Sequence, residues 1–121
     1  MLIASAIEDL AKIQALRDAG AEVAVLTGSD GRVDLTRLMS LLAQREVNEL
    51  MVEAGATLNG ALLAADLVDE LVLYLAPLLM GDAARGLFAF PALSRMDECK
   101  KLALRDVRQV GTDMRVIARL G

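Results

Sequence analysis

Met51-Val52-Glu53-Ala54-Gly55-Ala56-Thr57-Leu58-Asn59-Gly60-Ala61-Leu62-Leu63 passes from an apolar, strand-like run through a loop of small residues into a helix-like run. How this stretch is read decides the fold. Val47 to Glu53 has the composition of a strand ending on an acid, and a third helix is expected over about 57–65. A strand that hands over directly to a helix is half of a βαβ unit, and such sheets present ligands beyond the carboxyl ends of their strands. The N–H groups of the helix's first turn have no intrahelical partners, and with the macrodipole they favour an anion. Gly55 and Gly60 let the backbone come close to a ligand, while Thr57 and Asn59 offer side-chain hydrogen bonds. Neither common phosphate fingerprint is present. The dinucleotide motif needs glycine at three set positions, where only Gly55 and Gly60 stand, and the P-loop needs Gly-Lys-Ser/Thr, where Ala61 and Leu62 follow Gly60. Taken by itself the loop fits two readings alike, a phosphate cradle and a tight strand-to-helix turn that holds nothing. Glu53 also has two: an acid offsetting the helix dipole, or a carboxylate at the crevice mouth accepting hydrogen bonds from a polyol or uracil-like ligand.

The flanking sequence extends the same alternation. Leu2-Ile3-Ala4 reads as the tail of a strand, and Ser5 with Glu8 makes a capping-box pattern ahead of Ile7, Leu10, Ile13 and Leu16 on one helix face. Gly20 closes that helix as its C′ residue. Glu22 to Thr27 is a buried strand that ends in the turn Gly28-Ser29-Asp30-Gly31. Asp34 caps a second helix with a stripe of Leu35, Leu38, Met39 and Leu42. Asp69 to Ala76 is a Leu/Val-rich strand limited by Pro77, followed by a looser stretch through Pro91. Lys101–Val110 and Met114–Leu120 flank Gly111-Thr112-Asp113 as a β-hairpin. The order (β)αβαβαβ and then ββ predicts an α/β class: a mostly parallel sheet flanked by helices, with a C-terminal antiparallel hairpin, in a single domain over 1–121.

Composition narrows the chemistry. With 121 residues, 55% hydrophobic but only 2% aromatic, the core must be aliphatic. The longest apolar run, Leu71–Met80, is broken by Pro77 and falls short of the roughly 18 residues a membrane span needs. No cationic segment precedes an apolar one at the N-terminus, so neither membrane nor signal peptide is expected and the cytoplasm is. A net charge of −4 without a basic cluster makes nucleic acid a poor partner. Cys99 cannot form an internal disulfide and, with no histidine to activate it, reads as an inert thiol. The absence of histidine also excludes Ser-His-Asp and Cys-His catalysis, and with one cysteine no zinc site is expected. What remains is carboxylates, hydroxyls, Lys/Arg, backbone amides or a cofactor. Asp69-Glu70 reads as a solvated strand start, and Arg85 as an exposed loop arginine with anion contact as its second reading.

Val52 to Leu63, Leu67-Val68-Asp69-Glu70-Leu71, Tyr74 to Gly81, Ala84-Arg85-Gly86 and Val107 to Asp113 occur in the order of a known family. With Asp30 to Leu35 they make the chain resemble the second half of the C-terminal reductase domain of bifunctional riboflavin-biosynthesis deaminase/reductases. The resemblance implies a dihydrofolate-reductase-like fold and a partial domain, since the family's earlier reductase strands and its deaminase precede the position of Met1. It implies NADPH-dependent reduction of a phosphoribosylamino-pyrimidine, 5-amino-6-(5-phosphoribosylamino)uracil, to its ribitylamino form, with the nicotinamide delivering hydride. It puts Glu53 where the family contacts substrate, and Gly55, Ala56, Thr57, Leu58, Asn59, Gly60 and Ala61 in the family's cofactor-phosphate loop. Ala56 stands where the family often has proline, which removes no phosphate donor because proline has no N–H. A sheet lacking its first strands exposes an edge and an apolar face, so self-association through the C-terminal strands is expected, and the resemblance to a dimeric family implies a homodimer as well. The resemblance designates no general acid here. The alternative expectation is a noncatalytic nucleotide-binding or dimerisation module.

Overall fold

The computed structural model describes residues 1–90 and 93–121, so Pro91, the end of the loose stretch, lies outside the described residues. The chain divides into two compact units, Met1–Val52 and Glu53–Gly121, each with its own sheet.

In the first unit, β1 (Leu2–Ser5), α1 (Leu10–Asp18) and β2 (Glu22–Val25) form a βαβ arrangement with parallel strands, Leu2 opposite Glu22 and Ser5 opposite Val25. Ile13 of α1 packs into a small core with Ala21, Val23 and Leu26. The helix is not capped by the predicted Ser5/Glu8 box. The Ser5 hydroxyl is used in a local turn with Ile7, and Asp9 becomes the N-cap, accepting from the Lys12 amide at 3.1 Å. Ile7 and Leu10 therefore lie outside the buried stripe, 71% and 73% exposed. The predicted C-terminus holds: Gly20 takes φ 84°, its amide donates to Arg17 and that of Ala21 to Leu16. The turn at Gly28–Gly31 closes through Gly28 N–H to Arg32 O at 2.7 Å and Asp34 N–H to Leu26 O at 2.8 Å. Asp34 then caps α2 (Leu35–Gln44) as its sequence predicts, with Leu35, Leu38, Met39 and Leu42 on the half-buried face. Arg45 donates to Glu22, tying the end of α2 to the start of β2 and holding the Glu22 carboxyl below its ordinary range.

The second unit has α3 (Ala56–Ala64), β3 (Glu70–Leu75), a 3₁₀ turn at Met96–Glu98, β4 (Leu102–Val110) and β5 (Asp113–Leu120). The sheet order is β3-β5-β4, both pairings antiparallel. Gly111, at φ 62°, is the first central residue of the two-residue β4–β5 turn, a position that favours glycine. Central β5 is the best-covered strand, and its Ala118 is completely buried. Leu62 and Leu63 of α3 supply the rest of this unit's small core. A β-bulge between Leu104 and Asp106 turns the Asp106 carboxylate toward Arg115 and Arg108, and their hydrogen bonds lower its pKa.

The α/β class holds, with two differences from expectation. There are two sheets, one parallel and one antiparallel, rather than one mostly parallel sheet: among the described residues parallel pairing is confined to β1–β2, and the tight Gly111-Thr112 turn sets the antiparallel direction of β4 and β5. The strand expected at Val47–Glu53 pairs with no strand among the described residues. A strand exists through its neighbour's hydrogen-bond ladder, and without one Val47, Leu50, Met51 and Val52 stay exposed as extended chain.

Candidate functional site

The loop singled out by sequence leads directly into α3. Gly55 is the N-cap, with extended backbone (φ −79°, ψ 170°) and no side chain to cap the helix. The first helical bond is Asn59 N–H to Gly55 O at 3.1 Å. Among the described residues the amides of Ala56, Thr57 and Leu58 meet no protein acceptor, as expected of an uncapped first turn. Gly55 to Leu58 form one wall of an open depression of about 540 Å³, a size in the range that takes small molecules. The facing wall is Arg85, Gly86, Phe88 and Ala89. Among the described residues no carboxylate lines it, and Arg85 is its only cation.

Two contacts join the walls. The Ala89 amide donates to Ala56 O at 2.9 Å. Gly60, buried one turn further along α3, lies so close to the same segment that a Cβ there would stand 2.2 Å from Ala89 O. The missing side chain of Gly60 thus admits the chain's own backbone. Gly55 is different: a Cβ there would meet nothing within 4 Å, so its openness is available to a ligand.

The predicted site residues therefore fall into two groups. Gly55, Ala56, Thr57 and Leu58 line the depression, and Thr57 is exposed with no side-chain bond among the described residues. Asn59, Gly60 and Ala61 sit behind it. The Asn59 carboxamide, half-buried, donates to Ala54 O at 3.0 Å and closes the loop instead of reaching outward. Glu53 is exposed, forms no ion pair among the described residues and stands two residues before the lining begins. Arg85 is exposed, as expected of a loop arginine, and also lines the depression, where its second reading, anion contact, has a place. A second depression of about 230 Å³, lined by Leu63, Asp66, Val68, Asp69, Leu120 and Gly121, carries two acids and suits no anion. Asp69-Glu70 is a strand start as expected, with Glu70 accepting from Arg119 across to β5.

Residues 1–116 match the family described as the RibD C-terminal domain. The riboflavin biosynthesis protein RibD of Escherichia coli is 45% identical over 84 residues, which is 69% of this chain and 23% of that protein. The 5-amino-6-(5-phosphoribosylamino)uracil reductase of Buchnera aphidicola is 33% identical over 86 residues, 71% of this chain and 42% of that one. Among solved structures, RibD of Acinetobacter baumannii superposes with a TM-score of 0.76 at 31% identity, over 89% of this chain and 29% of the other. The chain thus spans less than half the length of these relatives.

Proposed function

We propose that this chain, which belongs to the RibD C-terminal domain family, supplies part of an NADPH-dependent reductase of riboflavin biosynthesis. The reaction is reduction of 5-amino-6-(5-phosphoribosylamino)uracil to its ribitylamino form. One observation carries the reading: Ala56, Thr57 and Leu58, whose amides meet no acceptor among the described residues, line a depression to which no described carboxylate contributes, in the loop where the resemblance puts the cofactor phosphate. Donors fixed by a helix start suit a phosphate oxygen without reorganisation. In this reading Gly55 to Leu58 contact the phosphate, while Asn59, Gly60 and Ala61 hold the loop in shape. Glu53, exposed ahead of the loop, accepts hydrogen bonds from the substrate. When bound, the reduced nicotinamide supplies the hydride, and the chain's own groups bind and orient. Both units belong to one reductase domain, and the setting is the cytoplasm.

The partner we propose besides the small molecule is a second copy. One face of the β3-β5-β4 sheet carries Leu75, Met114, Leu104 and Val107, each about half exposed or more. Contiguous apolar surface of this kind marks an interaction site. The same face supports a second reading, a noncatalytic nucleotide-binding or dimerisation module. One experiment separates them: melting with and without NADPH, followed by NADPH oxidation with substrate present. A cofactor at about ten times its Kd adds roughly 1.4 kcal/mol of stability. A raised melting temperature with substrate-dependent oxidation supports the reductase, and a raised melting temperature without oxidation supports the module. No shift at millimolar NADPH contradicts the reductase and the nucleotide-binding module and leaves only dimerisation standing.

A further inference from the structure

Arg85 stands apart from the paired arginines of this chain. Arg45, Arg95, Arg108, Arg115 and Arg119 each bind a carboxylate, whereas Arg85, like Arg17, Arg32, Arg37 and Arg105, has no side-chain hydrogen bond or ion pair among the described residues; of these five it is Arg85 that lines the depression. It lines the same depression as Ala56, Thr57 and Leu58, whose amides meet no acceptor among the described residues. Its loop is also fixed to α3. Four residues on, the Ala89 amide is bonded to Ala56 O and the Ala89 backbone is seated against Gly60. The loop that carries Arg85 is thereby tied to α3 beside the residues that line the depression. A helix start contributes about half a positive charge, which leaves a phosphate of higher charge largely uncompensated. A guanidinium adds a full charge and a forked donor pair matched to phosphate oxygens.

We propose that Arg85 is the charged half of the phosphate site, gripping from the facing wall the same cofactor phosphate that the Ala56–Leu58 amides hold. This rests on reading the depression as the cofactor site. The chemistry is that of a phosphate with two possible sources. The pyrophosphate is common to NADPH and NADH, and the 2′-phosphate is present only in NADPH.

Dissociation constants for NADPH and NADH are measured by fluorescence titration of the whole chain, its Arg85→Ala and Arg85→Lys variants, and Arg17→Ala as an exposed-arginine control. Loss of a charge-assisted contact predicts about tenfold weaker NADPH binding for Arg85→Ala and a shallower salt dependence. Arg85→Lys falls between, Arg17→Ala matches the parent, and all melt together. Parallel weakening of NADH assigns the grip to the pyrophosphate, and weakening of NADPH alone assigns it to the 2′-phosphate. Either result supports the role. NADPH binding by the parent with Arg85→Ala within twofold of it overturns this inference and leaves the cofactor site standing. A parent chain that binds no NADPH overturns the cofactor site itself, and this inference with it.

Discussion

Replacing Gly60 by alanine tests whether the walls of the depression are held by a close approach of backbone. In an ordinary helix interior this change is favourable by about 1 kcal/mol, because alanine is the better helix former. Here the new Cβ would stand 2.2 Å from Ala89 O, 2.7 Å from Ala89 C and 3.1 Å from Ala89 N. Those are backbone atoms, and a rotamer change cannot relieve the overlap. The segment must move away from α3, at an overpacking cost of about 3 kcal/mol, the upper end for an added methyl group. The difference is a net loss of roughly 2 kcal/mol. At this chain length each kcal/mol shifts the melting temperature by roughly 3–6 °C, so the variant should melt about 6–12 °C lower. Gly55→Ala is the control. Its Cβ meets nothing within 4 Å and its φ is −79°, so only the small N-cap preference is lost, within about 1 kcal/mol. Differential scanning calorimetry of both variants gives the answer. A Gly60→Ala protein that melts at or above the parent would refute the close approach of the Ala89 backbone to α3.

Other perturbations probe the elements around the site. Asp34→Ala leaves the Arg37 amide at the start of α2 without its acceptor and should cost about 1 kcal/mol, read from urea unfolding. Glu46 ends α2 in the left-handed region, at φ 62°, with its amide bonded to Ala43 O. Glu46→Gly should therefore stabilise by about 0.5–1 kcal/mol, the relief of left-handed strain less the added freedom of the unfolded chain. The Glu22 carboxyl is depressed by Arg45, so its contribution is present above the ordinary value of 4.5 and is lost as pH falls through the lowered folded-state value. Glu22→Gln should flatten the acid limb of a melting-temperature profile below about pH 5 and leave the neutral limb nearly unchanged, since exposed pairs contribute little.

Much of this fold is legible because its signals are local. Gly20 and Gly111 take the backbone conformations their turns require, and Asp34 needs only its own helix start to act as a cap. Strands β2, β3, β4 and β5 lie where aliphatic runs bounded by turns put them. What failed depends on partners. Val47–Glu53 has a strand's composition but no ladder among the described residues, and Ser5 lost the cap to Asp9 because its hydroxyl is engaged with Ile7. The ends of α2 and α3 use Glu46 and Asp66 at positive φ, where a sequence reader looks for glycine. At the site, the segment 55–58 was legible as an open helix start. The inward duty of Asn59 and the seating of Gly60 on Ala89 were not, since each depends on tertiary contacts.

Amide chemical shifts of the ¹⁵N-labelled chain, followed as NADPH is added, bear most directly on the proposed phosphate site. The account predicts saturable shifts concentrated at Ala56, Thr57 and Leu58, with Gly86 on the facing wall responding at the same cofactor concentration. Saturable binding that moves amides elsewhere and leaves these four still would contradict it.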